Sequence, residues 1–361
     1  MKFVHIADMH FDGPFINLSD KEGLGDLRRL EQRKVFKKVI EYIKENNIKY
    51  LFISGDLYEH KYIKKSTIEY INNLFKEIPD TKIFISPGNH DPIIKNSYYN
   101  QFNWNFNVKI FNEKIEKIET EDANIYGVGF NDFYCTSCKI EDIKLDNKEK
   151  NNILIMHGTV DGATTEEKQY NPIAKKALKE KEFDYVAMGH IHKLDYNTEE
   201  NQRIVYPGST ISLGFDELGK HGMIVGELNK NKINLEFIPL DEEEFIEINL
   251  DVTELKAKEE LIEKINSLEI KENEYAKIIL KGNRNFEINT YEIIKLISNN
   301  RIIKIKNKTK IAYDLEKMAN NKTLKGLFIK KMLDKLENKE LNEEDKQIIE
   351  KAIEVGLEAL E

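Results

Sequence analysis

The sequence predicts a layered α/β sandwich, followed by a smaller C-terminal α/β cap region and terminal helices. From Met1 to about Leu240, short apolar runs rich in β-branched and aromatic residues alternate with helical stretches and end in polar loops. Near residue 245 the composition becomes strongly charged, in LDEEEFIEINLDVTELKAKEE, which predicts a boundary. The chain of 361 residues is 40% hydrophobic, which is enough to bury a core.

The first part of the chain is predicted to contain short strands and two helices between the first three of them. A charged helix is expected from about Leu27 to Asn46, and a second near Ser66 to Lys76. The strands are predicted at KFVHIA, YLFISG, KIFISPG, NIYGVGF, NILIMHG, DYVAMGH, RIVYPGS and HGMIVGEL.

The chain is predicted to divide into three segments, at residues 1–245, 246–312 and 313–361. The last segment contains two amphipathic helices. Their apolar stripes consist of Leu324, Phe328, Met332 and Leu336, and of Ile349, Ile353, Leu357 and Leu360. Such stripes pack within their own domain or dock on a partner, and packing within the domain is the favoured interpretation.

Composition argues against several classes of protein. The formal net charge of -9 disfavours coating nucleic acid through bulk positive charge, although acidic clusters that bind cations contribute to that total. MKFVHIADMH has no secretory apolar core and no later run is long enough to span a membrane, so we expect a cytoplasmic protein without membrane association. The C-x-x-C pair Cys135 and Cys138 is interpreted as an ordinary loop pair, because a structural zinc needs four ligands.

Residues able to bind a metal follow five of the predicted strands. They are Asp8 and His10, Asp56, the triplet Asn89, His90 and Asp91, His157, and the pair His190 and His192. Because the carboxyl ends of strands in an open α/β sheet converge on one crevice, these residues are expected to form one pocket. Imidazole, carboxylate and amide ligands suit manganese, iron or zinc better than calcium or magnesium. They exceed what one ion needs, and two ions sharing a bridging carboxylate would use them.

Each of these signals also has an ordinary structural interpretation. A single histidine at a strand end, such as His157, is more often structural than a ligand, and GNHD alone is a reasonable turn. The signals occur together, each after an apolar strand, and this context favours the metal site. Residues i and i+2 of an extended segment point the same way, so His190 and His192 can reach different ions. His5 and His221 lie outside the clusters and are interpreted as structural.

The order D-x-H, GD, GNHD, H and GHxH resembles the calcineurin-like metallophosphoesterase superfamily. The longer strings FVHIADMHFD, ISGDLY, PGNHD, GHIHK and VYPGS are similar to its DNA-repair branch, the SbcD-type exonucleases. The C-terminal strings KTLKGLF and IEKAIEVGLEAL are similar to YhaO-type members. The resemblance implies a layered metallophosphoesterase sandwich over residues 1–245.

The resemblance also implies a role for each residue of the pocket. One ion would be bound by Asp8, His10 and His192, the other by Asn89, His157 and His190, and Asp56 would bridge them. Both ions would be divalent, with manganese as the usual active ion. His90 would contact the phosphate and protonate the leaving group. In many relatives a carboxylate three residues after the bridging aspartate orients that histidine; here it is Glu59, longer by one methylene, and we hypothesise that it orients His90.

By resemblance, the leading hypothesis is a manganese-dependent DNA exonuclease with some endonuclease capacity. It would act in DNA repair as a homodimer with an SbcC-like ATPase. Residues 246–312 would cap the site and bind DNA, and residues 313–361 would dock on the ATPase. Cations that could position the DNA backbone are Lys61, Lys64 and Lys65, and Arg301, Lys304, Lys306, Lys308 and Lys310 on one face of a predicted strand. A solvated, edge-protecting face is an equally good interpretation of that strand.

Two other functions are compatible with the motifs. Because the five motifs alone do not distinguish between esters, a small-molecule phosphodiesterase or a phosphoprotein phosphatase is the alternative enzyme. A scaffold that keeps the fold without turnover is the non-enzymatic alternative, and the intact ligand set argues against it. Hydrolysis of a generic phosphodiester separates the scaffold from both enzymes, and cleavage of duplex ends separates the nuclease from the small-molecule enzyme.

Overall fold

The computed structural model describes residues 1–15, 18, 23–134, 140, 143–145, 149–161, 172–196, 203–229, 232–312, 315–336 and 343–360. Cys135 and Cys138, interpreted above as a loop pair, lie outside these ranges. Within them, no helix combines the length and the apolar character needed to cross a lipid bilayer.

Strands and helices alternate along most of the chain. The strands are β1 (Lys2–Ile6), β2 (Tyr50–Ile53), β3 (Lys82–Ile85), β4 (Val108–Ile110), β5 (Glu116–Glu119), β6 (Ala123–Gly127), β7 (Asn151–His157), β8 (Thr159–Val160), β9 (Pro172–Ile173), β10 (Tyr185–Gly189), β11 (Ile204–Val205), β12 (Gly222–Asn229), β13 (Lys232–Pro239), β14 (Glu244–Asp251), β15 (Glu274–Lys281), β16 (Asn283–Arg284), β17 (Ile302–Asn307) and β18 (Lys310–Ile311). The helices are α1 (Leu24–Glu45), α2 (Lys65–Lys76), α3 (Tyr98–Gln101), α4 (Lys175–Glu180), α5 (Lys258–Asn266), α6 (Thr290–Leu296), α7 (Leu315–Ala319), α8 (Leu324–Leu336) and α9 (Glu343–Ala359).

Two mixed sheets form the interior of the first part of the chain. One has the strand order β13-β12-β1-β2-β3-β4 and the other has the order β11-β10-β7-β6-β5. Strands β1 to β4 are parallel with aligned ends, since Ile6 lies opposite Ile53 and Ile53 lies opposite Ile85. Strands β6, β7 and β10 are also parallel, with Gly189 opposite His157. The carboxyl ends of these strands therefore lie together at one edge of each sheet.

Strand β1 shows how the sequence places the core on both faces of a sheet. Phe3 faces the second sheet, and its ring centroid lies 5.2 Å from that of Phe52 and 4.6 Å from that of Tyr185. Val4 and Ile6 point the other way, into a cluster formed with α1 and α2. Because both faces are buried, the strand is a continuous apolar run interrupted by one histidine.

Helices cover the outer faces of the two sheets. Phe36 of α1 and Ile68 of α2 pack on the six-stranded sheet, whereas Leu178 of α4 packs with Met188 on the five-stranded sheet. A helix layer, two sheets and a further helix layer are the arrangement that the alternation of strands and helices predicts. The predicted layered α/β fold is confirmed.

The chain divides into two compact units. The first comprises Met1–Glu247, Ile270–Lys277 and Arg301–Lys304, and the second comprises Ile248–Glu269, Ile278–Asn300 and Ile305–Glu361. In the second unit, Ile353 and Leu357 of α9 pack in a cluster with residues of α7 and α8, whereas Leu324 of the other predicted stripe is 71% exposed. The three functional segments inferred from the sequence stay a prediction.

Arg28 is a buried charge that joins α1 to the segment after β13. Its guanidinium donates to Asp241 Oδ2 at 2.7 Å, to Glu31 Oε2 at 2.6 Å and to the Ser212 carbonyl oxygen at 2.7 Å. The side chains of Arg28 and Asp241 are 0% and 2% exposed. Removal of one partner would therefore leave the other buried without its counter-charge.

We expect Arg28→Met to lower the free energy of unfolding by about 3–5 kcal/mol, the cost of breaking a buried ion pair. Equilibrium urea unfolding, followed by circular dichroism, measures this change. The matched control is Lys37→Met on the same helix, where Lys37 is 58% exposed and pairs with the half-exposed Glu41. The control should change the free energy by less than about 0.5 kcal/mol, and equal effects of the two substitutions would contradict the role of Arg28.

Candidate metal centre

Five parallel strands each bring one predicted ligand to the same place. Asp8 follows β1, Asp56 follows β2, Asn89 follows β3, His157 ends β7 and His190 follows β10. The first three belong to one sheet and the last two to the other. The structure brings all of the predicted ligands and both predicted catalytic residues into one cluster, whose geometry is described below.

Several of the ligand residues have a left-handed backbone conformation. The φ angle is 50° at Asp8, 48° at His10, 51° at Asp56 and 100° at His190. Non-glycine residues rarely adopt this region, which costs about 1–3 kcal/mol each. Hydrogen bonds between the loops hold the conformation, since the Asp8 N–H donates to the Gly55 carbonyl at 3.1 Å and the His10 N–H donates to the Asp56 carbonyl at 2.9 Å. Such strain is typical of backbone that aims side chains at a functional site.

The first set of ligands, the Asp8 group, consists of Asp8, His10 and His192. His10 Nε2 lies 3.2 Å from His192 Nε2, which lies 3.9 Å from Asp8 Oδ1. The Nδ1 atom of each ring faces a carboxylate, that of Glu59 for His10 and that of Glu217 for His192. In the neutral rings the hydrogen is therefore assigned to Nδ1, and the two Nε2 lone pairs point at one place. A cation there would stabilise this arrangement.

The second set, the Asn89 group, consists of Asn89, His157 and His190. His157 Nε2 lies 3.0 Å from Asn89 Oδ1, and His190 Nδ1 lies 3.2 Å from the same oxygen. His157 Nδ1 donates to the Ser54 carbonyl oxygen at 2.8 Å, so in the neutral ring that binds a metal the lone pair of Nε2 is directed into the group. This set is suited to a second ion.

Asp56 lies between the two groups. Its Oδ2 is 3.7 Å from His10 Nε2 and 3.3 Å from His157 Nε2, and its Oδ1 accepts a hydrogen bond from the His90 N–H at 2.8 Å. Burial raises the pKa of Asp56, but the attraction of His157 and His10 outweighs burial and holds that pKa below its ordinary value. An ionised carboxylate within reach of both groups is what a bridging ligand requires.

The pKa values of two groups near Asp56 are shifted in opposite directions. Burial raises the pKa of Asp8 above its ordinary value, against the attraction of His192 and His157. Burial also lowers the pKa of His190 to about 3, so this ring is neutral near pH 7 and able to bind a metal. The centre thus combines buried carboxylates with imidazoles in the way that divalent cations favour.

Glu59 contacts both a predicted ligand and the predicted proton donor. Its Oε1 lies 2.8 Å from His10 Nδ1 and its Oε2 lies 3.0 Å from His90 Nδ1. The hypothesis that Glu59 orients His90 depends on its contact with His90. The sequence did not indicate its contact with His10. Burial lowers the pKa of His90, but the hydrogen bond with Glu59 and the attraction of Asp56 raise it to about 9. The His90 side chain is 45% exposed, unlike that of His10, which is 3% exposed.

We expect Glu59→Gln to lower turnover by about 10–100-fold, the usual effect of losing a carboxylate that orients a ligand. An amide has one accepting oxygen, so either His10 or His90 loses its acceptor. The measurement is kcat on a phosphodiester as a function of pH. The matched control is Glu69→Gln on α2, because Glu69 is 50% exposed and carries the same charge. If turnover and its pH dependence were the same in both variants, the role of Glu59 would be refuted.

Glu217 contacts the metal centre and was missed by the sequence analysis. Its Oε1 accepts a hydrogen bond from His192 Nδ1, and its Oε2 accepts from Ser209 Oγ at 2.7 Å and from the Leu213 N–H at 3.0 Å. In the sequence it stands in LGFDELGK, which matches none of the motifs above. The sequence feature that could have pointed to Glu217 is its position eight residues after Ser209 of VYPGS.

Asp91, the last residue of GNHD, fixes two loops of the centre to each other. Its Oδ1 accepts from the N–H groups of Asp56 at 3.1 Å and Gly88 at 2.6 Å. Its Oδ2 accepts from the Leu57 N–H at 2.7 Å and from the Tyr99 hydroxyl at 2.6 Å. Asp91 therefore organises the loops that present Asp56 and Asn89, whereas the ligand groups themselves are formed by other side chains.

Three histidines outside the predicted site make other contacts. His5 lies between the sheets, with Nδ1 at 2.9 Å from the Tyr185 hydroxyl. A ring nitrogen of His221 lies 2.9 Å from Ser209 Oγ. His60 packs edge-on against Phe133, with ring centroids 5.8 Å apart. Among the described residues, the groups of side chains able to bind a metal do not include these three.

The residues present fit two divalent ions. The Asp8 group and the Asn89 group each combine imidazole with an oxygen ligand, and Asp56 lies within reach of both. Such mixed sets are typical of transition metals. His90 also offers a ligand atom within 4.8 Å of those of His10 and Asp56, which places it at the margin of the centre.

An α/β sandwich that gathers these ligands at the ends of its strands is typical of a metal-dependent hydrolase. The model of the calcineurin-like phosphoesterase family matches residues 1–194. The chain therefore belongs to the calcineurin-like phosphoesterases. Phosphoester hydrolysis with divalent metal ions follows from this membership, in agreement with the ligand groups described above.

Known proteins resemble the chain to different degrees. It is 22% identical over 291 residues to the "Uncharacterized metallophosphoesterase YhaO" of Bacillus subtilis, a match that covers 78% of this chain and 69% of that protein. Among solved structures, TT1561 of Thermus thermophilus is similar with a TM-score of 0.39 and 12% identity, covering 65% of this chain and 98% of the other. GAP50 of Plasmodium is similar with a TM-score of 0.38 and 15% identity, covering 66% and 84%. The family assignment is independent of these two structures.

Proposed function

We propose that the chain is a manganese-dependent DNA exonuclease, with some endonuclease capacity, that acts in DNA repair. The observation that carries this proposal is the position of the strings that resemble the SbcD-type branch. HIADMHFD and GHIHK contain ligands of the Asp8 group, and VYPGS is hydrogen-bonded to GHIHK. The branch-specific strings therefore form the immediate surroundings of the centre.

VYPGS supports the loop that carries the paired histidines. The Ser209 N–H donates to the His192 carbonyl oxygen at 3.0 Å, and the Tyr206 hydroxyl donates to the Gly158 carbonyl oxygen at 3.0 Å. Gly208 has a φ of 76°, and a Cβ at this position would lie 2.7 Å from the His192 carbonyl oxygen. Glycine permits both this conformation and this approach. The VYPGS segment therefore fixes the backbone at His192 and beside His157.

HIADMHFD connects the centre to a cationic segment. Asp12, its last residue, accepts hydrogen bonds from the Lys64 N–H at 3.0 Å and from Thr67 Oγ1 at 2.7 Å. The side chains of this segment that are exposed and cationic are those of Lys61, Lys64 and Lys65. Lys65 pairs with Glu69 at 3.5 Å, which offsets its charge. Exposed lysines beside a phosphoesterase centre are suited to contact a DNA backbone, and Lys61 and Lys64 therefore support DNA as the substrate.

The second predicted cationic region supports DNA binding less strongly. The prediction of one continuous strand was wrong, because β17 ends at Asn307, whose Oδ1 accepts from the Thr309 N–H at 3.0 Å in a turn. Arg301 also pairs with Glu243 at 2.8 Å, which offsets its charge. Lys306 remains an exposed cation within the strand. DNA binding by this region is a secondary part of the proposal.

His90 moves the proton in the proposed reaction. Because Glu59 holds its Nδ1, Nε2 is the atom that would donate a proton to the departing sugar oxygen. The Asp8 group, the Asn89 group and the shared Asp56 would hold the two ions. When bound, these ions supply polarisation of the phosphate oxygens and a water of lowered pKa.

The proposal includes a cytoplasmic location, a homodimer and an SbcC-like ATPase as partner. The docking candidates for the ATPase are α8 and α9. Apolar side chains remain exposed on them, at 71% for Leu324, 60% for Leu327, 62% for Ile348 and 54% for Val355. Exposed apolar side chains on these helices support a protein contact there.

The experiment that tests the proposal compares two substrates. The purified chain is incubated with end-labelled linear duplex DNA, and separately with bis(p-nitrophenyl) phosphate, in manganese, magnesium or chelator. We expect manganese-dependent release of nucleotides from the DNA ends. Hydrolysis of the chromogenic ester with intact DNA, also after an SbcC-like ATPase is added, would contradict the nuclease and favour a small-molecule phosphodiesterase.

A further inference from the structure

Two carboxylates outside the ligand set contact imidazoles of the Asp8 group. Glu59 Oε1 lies 2.8 Å from His10 Nδ1, and Glu217 Oε1 accepts the hydrogen bond of His192 Nδ1. Each imidazole of this group is therefore held at Nδ1 by an anion, with Nε2 directed at the ion site.

The carboxylate of Glu217 is itself fixed. Its side chain is 11% exposed, and Oε2 accepts from Ser209 Oγ at 2.7 Å and from the Leu213 N–H at 3.0 Å. Ser209 forms a backbone bridge with Ala7, directly before Asp8. Glu217 is thus tied to the same piece of backbone that presents Asp8, and it holds His192 in place against it.

The Asn89 group has a different environment. His157 Nδ1 donates to the carbonyl oxygen of Ser54 at 2.8 Å, which is neutral. Asn89 contributes a neutral amide where the other group has the carboxylate of Asp8. His157 therefore has a neutral acceptor at Nδ1, where His10 and His192 each have a carboxylate.

We propose that Glu217 is a positioning residue that makes the ion site of the Asp8 group the tighter of the two, so that the two ions bind in a fixed order. An anion at Nδ1 makes an imidazole a stronger ligand and fixes its orientation before the ion arrives. Additional negative charge close to one site also raises its attraction for a cation. This inference concerns the metal centre and does not depend on DNA being the substrate.

The test is titration of metal-free protein with Mn²⁺, followed by isothermal calorimetry and by electron paramagnetic resonance. We expect the wild type to bind two ions with unequal affinities. Glu217→Gln keeps the shape of the side chain and removes its charge, so it should weaken the tighter site by about 10–100-fold and leave the weaker site unchanged. The matched control is Glu236→Gln on β13, because Glu236 is exposed and the substitution removes the same charge.

Ser209→Ala is a second variant for the case in which Glu217→Gln fails to fold. It removes the hydroxyl that fixes Oε2 of Glu217 while the carboxylate stays, and it should weaken the same site by a smaller factor. Equal affinities of the two sites in the wild type would overturn the proposal. It would also be overturned if a folded Glu217→Gln, or Ser209→Ala in its place, weakened both sites equally or weakened neither.

Discussion

Asp56→Ala is expected to lose both metal ions and at least about a thousandfold in turnover. Asp56 lies within reach of both ligand groups, with Oδ2 at 3.7 Å from His10 Nε2 and 3.3 Å from His157 Nε2. Its removal leaves each group without its shared anion. Metal ions contribute several kcal/mol of charge stabilisation in such reactions, which at about 1.4 kcal/mol per tenfold corresponds to the loss we expect.

The measurements are metal content after dialysis against Mn²⁺ and kcat on a chromogenic phosphodiester. Asp80→Ala is the matched control, because Asp80 is exposed in a loop of the same sheet and the substitution removes the same charge. Circular dichroism of both variants separates loss of metal from loss of fold. A folded Asp56→Ala protein with full metal content and full activity would contradict the bridging role.

His90→Ala is expected to keep both ions and to lose about 10²–10⁴-fold in turnover on DNA, the usual contribution of a general acid. The loss should depend on the leaving group. A sugar oxygen needs a proton as it departs, whereas p-nitrophenolate departs as a stable anion. The variant should therefore be impaired much less on bis(p-nitrophenyl) phosphate than on DNA.

His60→Ala is the matched control for His90→Ala, because His60 lies in the neighbouring loop and its ring packs on Phe133. We expect it to change neither metal content nor the ratio of the two activities. If His90→Ala lost an ion, His90 would instead be a ligand together with His10 and Asp56. Equal impairment on both esters would contradict the role as proton donor.

The positions of the ligands could be predicted from the sequence because each follows a strand that is buried on both faces. Strands β1, β2, β7 and β10 coincide with predicted apolar runs, and the helix predicted from about Leu27 to Asn46 is α1 over Leu24–Glu45. In contrast, β4 and β5 lie at sheet edges and are half-buried, so their sequences carry no apolar run. Strands β1, β2, β7 and β10 could be recognised in the sequence because they are buried on both faces.

The contacts that organise the ligands were much less predictable. Glu59 was found through its register with Asp56, but its contact with His10 depends on how two loops meet. Glu217 belongs to a loop after β11, and only the folded chain brings it to His192. A glutamate in a charged, glycine-containing loop is ordinarily a surface residue, so its sequence context points away from the burial that it has.

The ligands come from both sheets, and this has a mechanical consequence. Asp8, Asp56 and Asn89 stand on the six-stranded sheet, whereas His157 and His190 stand on the five-stranded sheet. Each ion would therefore bind side chains from both sheets and add a cross-link to the apolar contacts and hydrogen bonds that already join them. Removal of the ions by a chelator would then abolish catalysis and also weaken the association of the two sheets, because an ion that binds only the folded chain also stabilises it.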